Sequence, residues 1–144
     1  MLNLNRRIFY VTNTSSEINL ENNTITNNDS TGSFLRTQAD SWVNTGSNGG
    51  TVTLNMTNQK AVGNIVIDSI STLTMNLTNK SYYEGVINSD NSAKSITLKL
   101  DKTSSIKLTG DSYITSLDNS DSTNSNIDFN GYKLYVNGKE IKSN

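Results

Sequence analysis

The sequence predicts an all-β protein, a right-handed parallel β-helix of about five to six coils with roughly 20–30 residues in each. Three observations predict it. The stretch over 51–58, TVTLNMTN, returns over 72–79 as TLTMNLTN and, more loosely, over 95–102 as SITLKLDK. Each copy alternates apolar and polar residues, as a strand with one buried face does. The spacing repeats too: Val52 to Leu73 is 21 residues, Leu73 to Ile96 is 23, and Gly63 to Gly85 is 22. Finally, Asn, Ser and Thr make up about two fifths of the chain. Their side chains bond nearby backbone and suit turns and outward strand positions.

Short strands with frequent turn signals also describe an antiparallel sandwich. Strands of a sandwich have no need to resemble a neighbour one period away. In a solenoid each residue stacks on its equivalent in the next coil, which favours like on like. The sequence pairs Leu54 with Met75 and Leu98, and Met56 with Leu77 and Leu100.

Bulk properties fit this reading. The chain has 144 residues, ordinary for one domain, and we read 1–144 as a single β-helix domain. Its hydrophobic fraction, 33%, is low. Disorder does not follow, because only 17% of residues are charged, the net charge is −1 and the apolar residues fall in alternating runs. With no Cys and no His, disulfides, thiol nucleophiles, His-based triads and most transition-metal sites are excluded. Balanced charge gives no basic patch for nucleic acid. No apolar run approaches the ~18 residues of a membrane span, so no membrane insertion is expected. No secretion signal is visible, since MLNLNRRIFY lacks an apolar core.

Along the chain, residues 1–7 read as a flexible or capping segment. Ile8 to Thr12 is β-rich. Glu17 to Leu20 alternates, with Ile18 and Leu20 on one face, and Ile25 sits between turn residues. Gly32 to Trp42 is the least regular part, and Leu35 with Ala39 allows a helical turn there. Thr45 to Gly50 is a loop. Val52, Leu54 and Met56 then point inward, followed by a turn at Gly63 and inward Ile65 and Ile67. Leu73, Met75 and Leu77 restart the cycle. Gly85 marks another turn, with Val86 or Ile87 inward, and Ile96, Leu98 and Leu100 restart it again. Ile106 and Leu108 follow, then Tyr113, Ile114 and Leu117. Asp118 to Asn126, DNSDSTNSN, reads as a polar loop inserted at a turn. Ile127, Phe129, Leu134, Val136 and Ile141 close the chain.

The repeat also orders the outer surface. Three outward ranks are expected: Thr53–Thr74–Thr97, Asn55–Asn76–Lys99 and Thr57–Thr78–Asp101. Asn58 and Asn79 end their strands at matching places, where Asn tolerates the left-handed turn conformation. Such ranks stabilise a solvated face. A flat Thr array can also meet a regular surface, as in ice-binding solenoids, but Lys99 and Asp101 put charge into it.

Several groups of side chains have the chemistry a site would need. Asp68 and Asp90 lie 22 residues apart and would stand one coil apart, about 4.8 Å, near the separation of a retaining carboxylate pair. Both also sit at strand ends, where Asp caps turns. Asp111, Asp118, Asp121 and Asp128 are further carboxylates, and the DNSD loop with Asp128 has oxygen ligands of the kind calcium takes. No EF-hand or calcium nonapeptide repeat is present. We therefore assign no catalytic residue, no metal ligand and no cofactor. Aromatic side chains that could stack on a sugar ring are Trp42, beside a Gly-rich loop, and Tyr82 and Tyr83, read as a turn with at least one ring facing out. Phe34 and Trp42 could fill the interior instead, and Tyr113 and Phe129 suit the core or an end cap.

The runs INLENNTI, TVTLNMTN, NIVIDSISTLTMNLTN, SITLKLDKTSSIKLTGDSYITSLDN and NIDFNGYKLYVNGKEI resemble the parallel β-helix repeats of bacterial cell-surface proteins. They look like adhesin or autotransporter-passenger repeats and the carbohydrate-binding-domain surface proteins of Firmicutes. The resemblance covers most of Ile8 to Ile141, and the closing FNGYKLYVNGK looks like a solenoid's capped C-terminal end. It implies a non-enzymatic extracellular or cell-surface segment, the C-terminal part of a larger surface protein, serving adhesion, glycan binding or display. Its partner would be a glycan or a host or cell-surface ligand. A polysaccharide lyase or glycoside hydrolase of pectin-lyase-like fold is one alternative. A structural solenoid is another, self-assembling end to end or through edge strands. An open first coil exposes unpaired strand edges, so the Ile8 to Leu20 end is expected either to be covered by Gly32 to Trp42 or to dimerise.

Overall fold

The computed structural model describes residues 7–27, 33–38 and 49–143. It is all-β there, and its strands wind into a parallel β-solenoid of about 5 turns. The first coil consists of β1 (Arg7–Val11), β2 (Ser15–Glu21) and β3 (Thr24–Thr26). The second holds β4 (Ser33–Thr37), β5 (Thr51–Thr57) and β6 (Lys60–Val62), and the third β7 (Ile65–Ile67), β8 (Thr72–Thr78) and β9 (Tyr82–Gly85). In the fourth, a single bridge from Ile65 to Ile87 takes the place of the first strand, followed by β10 (Ser95–Leu100) and β11 (Ser105–Leu108). The fifth has β12 (Ser112–Ile114), β13 (Ser116–Asn119) and β14 (Ile127–Asp128). The chain ends in β15 (Leu134–Val136) and β16 (Lys139–Ile141), the one antiparallel pair among the described residues.

Three faces result. The first runs β1-β4-β7, crosses the Ile87 bridge, and continues as β12-β15-β16. Tyr113 N donates to Ile87 O at 3.0 Å, which joins its two halves. The second face is β2-β5-β8-β10-β13 and the third is β3-β6-β9-β11-β14.

The register follows the like-on-like columns. Val52 lies beside Leu73 and Leu73 beside Ile96; Leu54 lies beside Met75 and Met75 beside Leu98; Met56 lies beside Leu77 and Leu77 beside Leu100. All nine side chains are buried. Burial of an aliphatic side chain of this size contributes about 1.5–3 kcal/mol, so these columns are the main apolar support of the fold. Ile87, not Val86, is the inward residue of its segment.

The corners explain the composition. A triangular coil must turn sharply, and its backbone N–H groups leave the sheet ladder there. Side-chain oxygens of the following coil accept them: Ser71 Oγ from Gly50 N, Ser81 Oγ from Gln59 N, Ser104 Oγ from Ser81 N and Ser112 Oγ from Ile87 N, at 3.0–3.2 Å. These four serines are buried. Where a corner needs positive φ, Asn supplies it: Asn22, Asn58 and Asn79 have φ of 56°, 48° and 54°.

Four readings change. Ser33 to Thr37 is strand, not a helical turn, because Phe34, Leu35 and Thr37 are all drawn into the core beside β1 and β7. The described part of the segment expected to cover the first coil is therefore a rung of the second coil and not a cover; Gly32 and residues 39–42 lie outside the described residues. Tyr82 to Gly85 is strand rather than turn, since it pairs with both β6 and β11. Asp118 and Asn119 belong to β13, paired with Lys99 and Leu100, and only the residues after them form the loop.

Candidate ligand-binding surface

The outward positions of the second face form ordered ranks. Thr53, Thr74 and Thr97 stand in register, extended by Glu17 on one side and Ser116 on the other. The next rank reads Asn19, Asn55, Asn76, Lys99, Asp118. Its amides form a ladder. Asn55 Nδ2 donates to Asn19 Oδ1 at 2.9 Å, and Asn76 Nδ2 donates to Asn55 Oδ1 at 2.7 Å. A second ladder starts at the corner, where Asn58 Nδ2 donates to Asn22 Oδ1 at 2.9 Å. Parallel pairing puts the same side chain on successive rungs about 4.8 Å apart, the distance an amide spans.

Toward the C-terminal rungs this face becomes a shallow groove of about 260 Å³, lined among others by Asn76, Thr78, Lys99, Asp101, Asp118 and Ser120. A second shallow groove shares Ser120 and adds Lys102, Asp121 and Ser122. Asp101 is held by its own turn and by the preceding coil: Oδ1 accepts from Thr103 N and Oγ1, and Oδ2 accepts from Asn79 N at 2.9 Å. Partial burial opposes the charge on Asp101, and these donors outweigh it, so the carboxyl lies below its ordinary value. Asp121 accepts from Ser125 Oγ and from Thr123 N and Oγ1. Those hydrogen bonds pull its carboxyl down to about 2. The loop read as oxygen-rich therefore spends this carboxylate on its own turn.

The other carboxylates have local work as well. Asp68 Oδ1 accepts from Ile70 N at 3.3 Å and Asp90 Oδ1 accepts from Ser92 Oγ at 2.8 Å, so both brace turns. Asp111 accepts from Lys133 N and Asp128 from Asn130 N, each at 2.9 Å. No group of three or more acidic side chains that could hold a metal ion occurs among the described residues.

The aromatic candidates separate. Trp42 lies outside the described residues. Tyr83 is fully buried and its hydroxyl donates to Gly63 O at 2.7 Å, so its ring cannot stack on a ligand. Strand alternation sends Tyr83 inward and Tyr82 outward, onto the third face. There Tyr82 is half-buried, with Lys60 Nζ 5.6 Å from its ring centroid and its hydroxyl donating to Glu84 Oε1 at 2.7 Å. Burial, the Glu84 hydrogen bond and nearby carboxylate charge push this phenol up to about 12. Tyr113 is on the outer side of its strand, not in the core, because Ser112 and Ile114 take the inward positions. Its ring stacks on Tyr135, centroids 5.1 Å apart and planes 8° from parallel. Phe34 fills the interior, edge-on to Phe9, and Phe129 packs against the core.

The pairing of Lys99 with Asp118 escaped the sequence reading. The alternation of Ser116, Leu117, Asp118 and Asn119 was the available signal, hidden by the polar run that follows. No protein-family model, no curated protein and no solved structure matches this chain.

Proposed function

We propose that this chain is a non-enzymatic extracellular solenoid segment that binds glycan, or a comparable ligand on a cell surface, through the outer side of its second face. The observation that carries the reading is the five-strand face itself, with Thr and Asn ranks held in register and a shallow groove at one end. Short neutral side chains in fixed rows give a rigid polar wall. A rigid wall loses little entropy on binding an extended hydroxylated chain. The resemblance of the repeats to bacterial adhesin and autotransporter-passenger solenoids supports a place outside the cell. A glycan-array screen, run beside an assay for released reducing or unsaturated ends, tests it. Binding without turnover is expected. Turnover abolished by Asp68→Asn or Asp90→Asn would replace this reading with the pectin-lyase-like enzyme.

A second reading, association through the first coil, is favoured by one feature. Among the described residues, each of β1, β2 and β3 pairs on one side only, and the inward residues Phe9, Ile18, Leu20 and Ile25 stay half-buried. Open edges with apolar residues invite another strand. Sedimentation velocity across concentration distinguishes the cases: growth in mass supports association, and a strict monomer rejects it.

A further inference from the structure

We propose that the place where the asparagine ladder breaks is a subsite for one neutral, hydroxyl-rich ring, a single sugar unit of a glycan; this rests on the glycan-binding reading above. The ladder is directional. Asn55 donates to Asn19 and Asn76 donates to Asn55, so each amide points its N–H toward the preceding coil. Asn76 Oδ1 is thereby left toward the following rung. That rung carries Lys99 in place of a fourth Asn, and the next carries Asp118. Both are exposed, and neither charged group has an intramolecular hydrogen bond or ion pair among the described residues.

The groove over these residues thus offers an amide acceptor, a cationic donor and a carboxylate acceptor in one line. Asp101, beside them, is already taken by Asn79 and Thr103. Neighbouring hydroxyls of a sugar ring match this set, because each donates to a carboxylate or amide oxygen and accepts from an ammonium. Charge decides the ligand class. The groove is lined by one cation, Lys99, and two carboxylates, Asp101 and Asp118, so its lining carries a net negative charge and repels phosphate, sulfate or uronic acid groups. A neutral sugar meets no such repulsion. The groove is open to water, so one subsite binds weakly, and affinity would come from several subsites on one glycan chain.

The test uses the full chain and NMR titration with neutral and with acidic oligosaccharides. Neutral sugars are expected to shift the signals of Asn76, Lys99, Asp118 and Ser120. Lys99→Ala and Asp118→Asn should each weaken binding at least about tenfold, which is about 1.4 kcal/mol. Lys107→Ala, on the third face, should leave binding unchanged. Neutral-sugar binding that survives both groove variants would overturn the subsite while leaving the glycan-binding reading standing. Binding confined to acidic sugars would overturn the ligand class. No shift with any glycan at high concentration would reject the functional reading, and the subsite with it.

Discussion

The hydroxyl of fully buried Tyr83 donates to the carbonyl of Gly63 in the preceding coil, 2.7 Å away. Directly beside this bond Gly85 lies against Gly63, and a Cβ on Gly85 would collide with the Gly63 carbonyl and the Tyr83 hydroxyl. Gly85 leaves room for the largest fully buried side chain, and Gly63 leaves room for Phe34. Tyr83→Phe removes one buried hydrogen bond and should cost about 1 kcal/mol. Tyr83→Ala also opens a cavity and should cost about 3–5 kcal/mol. Denaturant unfolding measures both, and equal losses for the two variants would show that the hydroxyl, not the ring, carries the site.

The same burial sets an alkaline limit. The Tyr83 phenol is raised well above its ordinary value of 10.0 by burial alone. The folded chain keeps the proton that the unfolded chain releases. Its contribution is complete below pH 10 and falls as pH rises, by about 1.4 kcal/mol per pH unit for one such group. Tyr82, pushed up to about 12, adds to the loss between 10 and 12. Thermal midpoints should drop above pH 10, and tyrosinate absorbance from Tyr83 should appear only with unfolding. A phenolate signal equal to all six tyrosines in the folded state would contradict this.

Inward and outward residues of one strand should respond differently to the same charge. Met75 is buried between Leu54 and Leu98, and Thr74 is on the outer side between Thr53 and Thr97. Met75→Asp buries a carboxylate without a partner and should cost roughly 5 kcal/mol or more, enough to unfold the domain. Thr74→Asp should cost under about 1 kcal/mol. Comparable thermal shifts would refute the assignment of faces.

The corner asparagines are backbone devices. Asn58 has φ of 48°, and its amide donates to Asn22. Asn58→Ala should cost about 1–2 kcal/mol from the left-handed conformation alone. Asn58→Gly should recover most of that loss, since glycine adopts this φ freely. If Gly is no better than Ala by differential scanning calorimetry, the amide bond to Asn22 dominates instead.

How much of this was legible in the sequence varies by residue. Leu54, Met75 and Leu98 could be placed on one column because they recur at a fixed spacing on alternating strands. Thr53 and Asn55 could be turned outward for the same reason, and Asn58 and Asn79 could be set at corners. Tyr83 could not be separated from Tyr82, because two adjacent tyrosines before a glycine fit a turn as well as a strand. Asp118 was hidden in a polar run, and its distance to Lys99, 19 residues, departs from the spacing of the clearer coils.

Alternation and recurrence are properties of the chain alone, and they suffice for the solenoid, its period and the inward columns. Coil-on-coil packing sets which side chains remain on the outer surface. It sent Tyr83 into the core, turned Tyr113 outward onto Tyr135, committed Asp101 to Thr103 and Asn79 and Asp121 to its own turn, and set Lys99 beside Asp118. Those outcomes depend on which residue the next coil places 4.8 Å away, about one rung spacing, and only the closed register fixes that neighbour.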